Sequence, residues 1–480
     1  MRIIAKKFRW AIVPCLVISS GLSCHAQLLK DIAQPSTIPA NTPKYSDVVM
    51  RSLAFRDDSY KHGSTMQNAL DFHVTRLDWV YVRAGDGDYM KEFAAKGIKV
   101  GGTINASPGD STISVKDING KSLEVPWLPG KYFICVNNPG AFKYNMDNTK
   151  IAVDLGCVAI QRDDPGSGNI NYTKTYCFCS FCKKKALSQG VDLNDENQRK
   201  SFNHASTIEF YNKLYGQANS YAGFALAHSC NGLDRTWDDE RYRDIFKVHD
   251  YRNGEIMKTR PPGELYNLSL ETRLRNKVQL FQYTVKGEMD EILQRKYISL
   301  GYATGMNVMV PWDVYINRAP RYFGVKEDFA DLFGFVRCIG QAGYLDGYQD
   351  AATGGYDLPE TRYTTSPVGI VSGNTKLSLF ARAKPGDAGA PVIVHLVKWG
   401  GSGSTKIKLL TSSFFQGKAL NIKLWTPKSY SSNEHVNAEN TGNYETLKWD
   451  RTGDISVTVN GIWTEVDLPD LSPWGILVVE

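Results

Sequence analysis

Residues 158–184 read VAIQRDDPGSGNINYTKTYCFCSFCKK, an apolar run that ends in two aspartates and is followed by three cysteines. With the residues before it, the run forms VDLGCVAIQ (153–161), which has the length and composition of a short buried strand. Arg162, Asp163 and Asp164 stand directly after that strand. The segment therefore places candidate acids where a strand ends and candidate metal ligands in the connection that follows.

From about Val48 onward, short apolar runs alternate with longer amphipathic stretches. Eight buried strands that alternate with helices over roughly 300 residues predict a (β/α)8 barrel. A doubly wound open sheet is the alternative, but no glycine-rich phosphate loop follows the first strand. The predicted strands are VVMRSLAF (48–55), VTRLDWVYV (74–82), IKVGGTIN (98–105), VDLGCVAIQ (153–161), YAGFALAHS (221–229), RDIFKVHD (243–250), TGMNVMVPW (304–312) and FGFVRCIG (333–340). The clearest helical patterns are SFNHASTIEFYNKLYGQAN (201–219) and SLETRLRNKVQLFQYTVKGEMDEILQRK (269–296).

The pattern changes to period 2 near TTSPVGIVSGN (364–374), which predicts an antiparallel β-sandwich over residues 363–480. The chain before it divides into a signal peptide (1–26), an N-terminal arm (27–46) and the catalytic barrel (47–362). The predicted sandwich strands are LSLFARA (377–383), PVIVHLVKW (391–399), KIKLL (406–410), ALNIKLWTP (419–427), DISVTVNG (454–461), WTEVDL (463–468) and GILVVE (475–480).

The first 26 residues have a basic start, an apolar middle and the small-x-small site Cys24-His25-Ala26, which predicts a secretory signal. Lipoprotein anchoring through Cys24 is the weaker alternative, because Gly21 stands where a bulky aliphatic residue is usual. No other run is long and apolar enough to span a membrane. The protein is therefore expected to be exported, to the periplasm or the medium.

Removal of the signal lowers the formal net charge from +6 to +2, because that segment holds four basic residues and no acidic one. A charge so near neutrality favours neither nucleic acid nor another polyanion as a partner. The expected partner is a carbohydrate substrate, and assembly into an oligomer stays open.

Nine cysteines are present, and seven lie beyond the predicted signal. Cys177, Cys179 and Cys182 are packed within six residues, which fits a metal clip better than paired disulfides. With Cys135 as a fourth ligand, their thiolates would close a tetrahedral structural zinc site. Disulfides or free thiols are the alternative. No organic cofactor is expected.

Acids, amides and aromatic residues follow several predicted strands, and in a barrel the ends of the strands meet at one mouth. Cleavage of a glycosidic bond needs two carboxyl groups, one to protonate the departing oxygen and one to act as nucleophile or base. Asp164 is expected as the acid/base and Asp313 as nucleophile or base, with Glu255 and Asp163 as further candidates. Substrate contacts are expected from Arg162, Trp79, His228, Asn231, Tyr251, Trp312 and Tyr315.

These features together resemble the family 42 glycoside hydrolases, which are β-galactosidases built on the clan A barrel. In that family Asn-Glu ends strand 4, a Cys-x-Cys-x-x-Cys zinc loop follows, and a further zinc cysteine lies upstream, where Cys135 stands. The segment YCFCSFC (176–182) carries the tightest match. The resemblance implies acid/base chemistry at the strand 4 aspartates and a nucleophile at Asp313. Aspartate replaces the family's glutamate at both places, so a divergent relative that acts on another glycan is expected.

A second pairing of acids stays open, because several α-glycosidase barrels carry an aspartate nucleophile on strand 4 and an acid on strand 6. Asp163 or Asp164 would then attack, and Glu255 or Asp250 would donate the proton. Two other classes of function remain as alternatives. One is a non-catalytic glycan-binding protein on a barrel that has lost activity, and the other is a metal-dependent hydrolase that uses His228 and Asp250.

Overall fold

A computed structural model describes residues 38–163, 177–231, 247–256, 258–275, 277–283, 290–313, 323–358, 366–387, 389–411 and 420–480. Eight parallel strands close into a barrel in chain order, and the first strand also pairs with the eighth. The predicted (β/α)8 barrel is confirmed. Its strands are β1 (Val49–Ser52), β2 (Arg76–Val80), β3 (Lys99–Asn105), β4 (Ala159–Asp163), β5 (Ala227–Asn231), β6 (Tyr251–Ile256), β7 (Val278–Tyr283) and β8 (Asn307–Val310).

Helices lie between the barrel strands, and local sequence sets their ends. At the start of the longest helix, the Asp195 side chain accepts from the backbone N–H of Gln198, and Gly223 ends the same helix at a φ of 74°. The described helices are α1 (Thr65–Asp71), α2 (Gly87–Ala95), α3 (Pro139–Asp154), α4 (Ser180–Ser188), α5 (Glu196–Ala222), α6 (Pro262–Leu274), α7 (Glu291–Thr304), α8 (Lys326–Gln341) and α9 (Ser432–Thr441). Short 3₁₀ segments lie at Ser111–Ile113, Glu445–Leu447 and Thr452–Asp454. In the part of the chain that the structure describes, no helix meets the length and hydropathy that a membrane span requires.

Two of the eight predicted barrel strands are wrong. Residues 333–340 lie in α8, which is buried on almost every side, so its apolar run does not reveal a helical period. Of the predicted strand 243–250, residues 243–246 lie outside the described residues, and residues 247–250 precede β6 rather than form it. The missing strand is β7, which lies inside the long predicted helix 269–296, so that helix is in fact α6, β7 and α7. The run near residue 307 is therefore strand 8 and not strand 7.

The predicted C-terminal sandwich is confirmed as two antiparallel sheets, in the orders β10-β13-β17-β16 and β15-β14-β18-β12-β11-β9. Strand β9 pairs with β11, so the sandwich takes in residues that precede the expected boundary at 363. Its strands are β9 (Gln349–Gly355), β10 (Val368–Gly373), β11 (Leu377–Ala383), β12 (Val392–Lys398), β13 (Thr405–Leu410), β14 (Ile422–Pro427), β15 (Lys448–Asp450), β16 (Ser456–Asn460), β17 (Trp463–Leu468) and β18 (Trp474–Val479).

The barrel and the sandwich share one apolar core. Trp474 of β18 is fully buried and lies against the rings of Phe335 in α8 and Tyr302 in α7, with centroids 5.0 and 6.3 Å away. Burial of such rings is the main favourable term in folding. The two units therefore support each other through the helices between them.

Candidate active site and metal centre

Strand register brings two side chains of the barrel interior together at its mouth. Arg162 of β4 pairs with Cys230 of β5, so the next residues, Asp163 and Asn231, lie side by side. Both strands end there. The Asn231 side-chain amide donates to Asp163 Oδ1 at 3.0 Å. The aspartate that ends β4 is thereby fixed on one side.

Two aromatic side chains from the end of β2 hold the other oxygen of Asp163. The register between β2 and β3 shifts between Leu77 and Val80, and Trp79 has a φ of 62°. This bulge breaks the strict alternation of the strand, so Trp79 and Tyr81 both reach Asp163. Trp79 Nε1 donates to Asp163 Oδ2 at 3.3 Å, and the Tyr81 hydroxyl donates to the same oxygen. Burial, and then the nearby Asp163 charge, raise the pKa of Tyr81 well above its ordinary value, so its hydroxyl remains a donor.

Glu255 lies on β6 and faces the same mouth. Its Oε1 accepts from Arg51 Nη1 at 3.3 Å and from Gln282 Nε2 at 2.9 Å, and its side chain is 16% exposed. Burial raises the pKa of Glu255, the Arg51 guanidinium opposes that rise, and the Asp163 carboxylate adds to it. Arg51 also lies over the Trp79 ring, 3.9 Å from its centre, and Trp79 donates to Asp163, so the two acids belong to one site. A carboxyl group with a raised pKa suits a proton donor.

Asp313 follows β8 and has a φ of 40°. Its Oδ2 accepts from Ser52 Oγ at 3.3 Å, from the Leu53 backbone N–H at 3.2 Å and from Arg56 Nη2 at 3.4 Å. The side chain is 0% exposed, and burial raises its pKa against the effect of the Arg56 charge. These contacts tie the end of β8 to the connection after β1, and they leave the carboxylate closed to solvent.

Arg162 and His228 do not lie at the mouth, which corrects the substrate-binding role predicted for them. Their strands point these side chains outward to the helices. His228 stacks on Tyr215 of α5 with ring centroids 3.8 Å apart, and Arg162 donates to Thr149 of α3 at 3.1 Å. Burial, then the neighbouring Arg162 charge, hold the pKa of His228 well below its ordinary value. Both side chains therefore pack the layer between strands and helices.

Tyr251 and Trp312 also lie away from an open binding surface, which corrects the sugar contacts predicted for them. Tyr251 begins β6, deep in the barrel, and its hydroxyl donates to Asp78 at 2.8 Å. Trp312 is 1% exposed and lies edge-on to the rings of Tyr60 and Phe323. A buried ring cannot offer its face to a sugar. Asn231 and Trp79 are the two predicted substrate contacts that the structure brings to the mouth, but Trp79 is also 1% exposed, and it contacts Asp163 through Nε1 instead of offering its ring face.

Asp164 and Tyr315 lie outside the described residues. Asp250 is described, and its Oδ2 accepts from the His228 backbone N–H at 2.8 Å. It immediately precedes β6 and so lies at the opposite end of that strand from Glu255. Asp250 is the alternative proton donor of the second pairing. Neither Asp250 nor His228 faces the acids of the mouth.

The sequence did not predict the roles that three residues have at the site. Arg51 lies within the first predicted strand, 48–55, without any motif to mark it. Gln282 belongs to β7, which the sequence pattern hides inside a helix. Tyr81 closely follows Trp79 in the second predicted strand, and its hydroxyl donates to Asp163. Only the register of the closed barrel brings these three side chains together.

The four cysteines predicted as metal ligands form a compact cluster. The sulfur atoms of Cys135, Cys177, Cys179 and Cys182 all lie within 4.8 Å of one another, with Cys135 at 3.4 Å from Cys182 and 3.5 Å from Cys179. Four thiolates around zinc, with bonds of about 2.3 Å, place their sulfurs about 3.8 Å apart. The cluster can therefore hold one metal ion. The seven cysteines beyond the predicted signal are all free thiols in the structure.

Hydrogen bonds around this cluster suit negatively charged sulfur. The Asn137 amide donates to Cys182 Sγ at 3.3 Å, and the Lys116 backbone N–H donates to Cys177 Sγ at 3.5 Å. Such outer donors orient metal ligands and balance their charge. Cys135 lies in the connection after β3, and the other three lie in the connection after β4. A metal ion here would tie together two connections on the mouth side of the barrel.

Comparison with known proteins identifies a shared fold and no family. No family model matches the chain, and no curated protein matches its sequence, so the resemblance to family 42 stays a prediction. Similar solved structures include an α-L-fucosidase isoenzyme 2 from Paenibacillus thiaminolyticus, with TM-score 0.54, 9% identity and coverage of 91% of this chain and 100% of that one. A GH27 β-L-arabinopyranosidase variant from Geobacillus stearothermophilus, in complex with arabinose, has TM-score 0.51, 10% identity and coverage of 92% and 97%.

An α-amylase from H. orenii is similar to the same extent, with TM-score 0.51, 8% identity and coverage of 90% of this chain and 99% of that one. At such identities the likeness concerns the fold. The chain thus has the barrel-and-sandwich fold of these glycoside hydrolases. The activity, the family and the substrate of this chain are matters for proposal.

Proposed function

We propose that the protein is an exported glycoside hydrolase in which Glu255 donates a proton to the departing oxygen and Asp163 attacks the anomeric carbon. The observation that carries the proposal is the chain of contacts at the mouth by which Arg51 pairs with Glu255 and lies over the Trp79 ring, while Trp79 donates to Asp163. Glycosidases require two such groups with different protonation states. This is the strand 4 and strand 6 pairing that the sequence left open.

Asp163 suits the nucleophile because its position is constrained. Trp79, Tyr81 and Asn231 donate to its two oxygens, and the residue is only 9% exposed. A nucleophile held in one orientation loses little entropy when it reacts. After attack, the same three donors remain near the covalent intermediate and are ready to receive the carboxylate when water releases the sugar.

Glu255 suits the role of acid because its surroundings favour the protonated form before the reaction and the carboxylate after the proton has left. Burial and the Asp163 charge raise its pKa, which favours the protonated form that an acid needs. When the proton leaves, the new carboxylate faces donors from Arg51 and Gln282 that are already in place. Preorganised donors of this kind stabilise charge that develops in the transition state. Deglycosylation would use Glu255 in reverse, as the base that activates water.

Asp313 is the less suitable nucleophile because its side chain is 0% exposed, whereas Asp163 is 9% exposed. We assign it instead to positioning the connection after β1, from which Arg56 comes. Asp164 follows Asp163 directly, and its role as acid/base stays the rival prediction. Which of these two aspartates reacts is decided by substituting each in turn.

We further propose that the cysteine cluster binds structural zinc and that residues 1–26 direct export. Four thiolates complete a tetrahedron and leave no position for water, so the metal would brace the mouth rather than react. Export is tested by fractionating the native host and sequencing the mature N-terminus, which should begin at Gln27. A mature chain that retains residues 1–26 would reject the signal peptide.

The proposed activity is tested by incubating the mature protein with a panel of glycans and measuring released reducing ends. The panel should include α-L-fucosides and β-L-arabinopyranosides, named for similar structures, with plant, algal and host polysaccharides. We expect release from at least one substrate by the wild type and none by the variants D163N and E255Q. Binding of a glycan without release by the wild type would favour the non-catalytic alternative.

A further inference from the structure

A cavity lies at the opposite end of the barrel from the mouth. Its volume is about 380 Å³, and it lies where the barrel meets the sandwich. The residues that line it include Lys44, Arg273, Val278, Asn307, Tyr348 and Arg382. Val278 and Asn307 are the first residues of β7 and β8, which places the cavity at the amino-terminal end of the strands. The volume lies within the range of small-molecule sites.

Two guanidinium groups converge on this cavity beside Gly305, that of Arg382 buried and that of Arg273 partly buried. A Cβ atom at Gly305 would lie 2.7 Å from Arg382 Nη2 and 2.9 Å from Arg273 Nη1. Gly305 has a φ of 85° and ends α7, so it supplies the turn and also leaves room for both cations. Two like charges so close together call for a compensating anion.

The charge of Arg382 is not balanced by the described residues. The side chain is 2% exposed, lies 4.8 Å from the Tyr45 ring centre and donates through Nη2 to the Tyr348 carbonyl at 2.9 Å. Its Nε and Nη1 atoms have no hydrogen-bond partner among the described residues, and the ion pairs found there include none for Arg382. Leaving a buried charged donor unpaired is costly.

Arg273 is only partly compensated. Its Nη2 lies 3.9 Å from Asp350 Oδ1, which is long for an ion pair, and Asp350 also accepts from the Tyr266 hydroxyl at 2.8 Å. Burial lowers the pKa of Arg273, and the Arg382 charge lowers it further, while Asp350 opposes the change. Lys44 and Lys277 also line the cavity and Asp346 is the one acid on its wall, so the described lining carries net positive charge.

We propose that this cavity binds a small organic anion whose phosphate, sulfate or carboxylate group accepts hydrogen bonds from Arg382 and Arg273. Guanidinium groups pair with such oxyanions through directed, charge-assisted hydrogen bonds. The remainder of the bound anion would lie against the apolar part of the lining, which includes Tyr45 and Val278. The site is independent of the proposed hydrolytic activity, since it lies at the other end of the barrel.

The test measures thermal stability and calorimetric binding of the mature protein with sodium phosphate, sodium sulfate, glucose 6-phosphate and galacturonate, each against sodium chloride at equal ionic strength. We expect a saturable rise in melting temperature and a stoichiometry of one for at least one oxyanion. Tighter binding of a sugar acid than of the inorganic ions would identify an organic ligand as the source. Equal stability in every salt would overturn the proposal.

Variants locate the effect. We expect R382Q to weaken binding at least about tenfold, because a charge-assisted hydrogen bond is lost. R451Q is the matched control, since Arg451 lies on the sandwich and pairs with Asp454, and it should bind as the wild type does. If R382Q does not fold, R382K keeps the charge while it loses the planar fork, and it should bind more weakly than the wild type. Unchanged binding in the folded variant would reject the site.

Discussion

Arg51 forms an ion pair with Glu255 across 3.3 Å, which joins β1 to β6 at the mouth of the barrel. The same guanidinium lies over the Trp79 ring, 3.9 Å from its centre, and Trp79 in turn donates to Asp163. A cation over an indole face is attracted to it. One arginine therefore links the supports of the two proposed catalytic acids, so its removal should affect the chemistry rather than the fold alone.

The first prediction concerns the pH profile. Glu255 must hold its proton to act as the acid, so kcat/KM should fall as the pH rises through its raised pKa. Because the Arg51 charge lowers that pKa, R51M should move the alkaline limb of the profile to higher pH. R83M is the matched control, since Arg83 is an exposed residue after β2. An alkaline limb that stays in place in R51M would contradict the assignment of Glu255.

The second prediction concerns the hydroxyl of Tyr81, a positioning group for Asp163. Y81F keeps the ring and removes one donor to the carboxylate. We expect kcat to fall about 10- to 100-fold with a small change in KM, in line with the loss of a charge-assisted hydrogen bond. Y89F serves as the control, because Tyr89 contacts Phe55 by ring stacking. A higher KM with an unchanged kcat would show that Tyr81 binds substrate instead.

A third prediction separates structure from catalysis at Asp313. D313A leaves the donors from Ser52, Leu53 and Arg56 without their acceptor and puts alanine at positive φ, so stability should fall by about 1–3 kcal/mol. D313N keeps an acceptor oxygen and tolerates that φ. Its turnover should stay within about tenfold of wild type, because it touches no reacting atom. A near-complete loss of turnover in folded D313N would restore Asp313 as the nucleophile.

The fourth prediction concerns the metal. Elemental analysis of purified protein should give about one zinc per chain. C182A should lose the metal and unfold at a lower temperature, because the cluster joins the connections after β3 and β4. C338A is the control, since Cys338 is buried in α8 outside the cluster, and it should keep its zinc. A disulfide found among the four cysteines by mass spectrometry would reject the site.

Much of the fold is predictable because its patterns are local. The strand LSLFARA coincides with β11, and the helix pattern 201–219 lies within α5. The failures have a physical cause as well. Strand β7 is six residues long and is flanked by charged helices without a strong turn signal, while α8 is buried without interruption from Phe329 to Val336. The hydrophobic periodicity of the sequence does not identify a strand this short or a helix with so long a buried run.

The site was less predictable than the fold because it depends on which way each side chain points. His228 lies in a predicted strand and Arg162 directly follows one, yet strand alternation directs them outward to Tyr215 and Thr149. Trp79 reaches Asp163 only through a bulge at a positive φ. Cysteine spacing, in contrast, is a local signal, and the four predicted ligands do come together.

The account rests most directly on Asp163, and its neighbour provides the matched control. D163N and D164N differ from each other by one position in the chain and carry the same chemical change. With a substrate found in the glycan screen, D163N should lose turnover by about 10²–10⁴-fold or more, while D164N retains it and both keep the melting temperature of the wild type within a few degrees. Normal turnover in folded D163N, with loss in D164N, would contradict the proposed site.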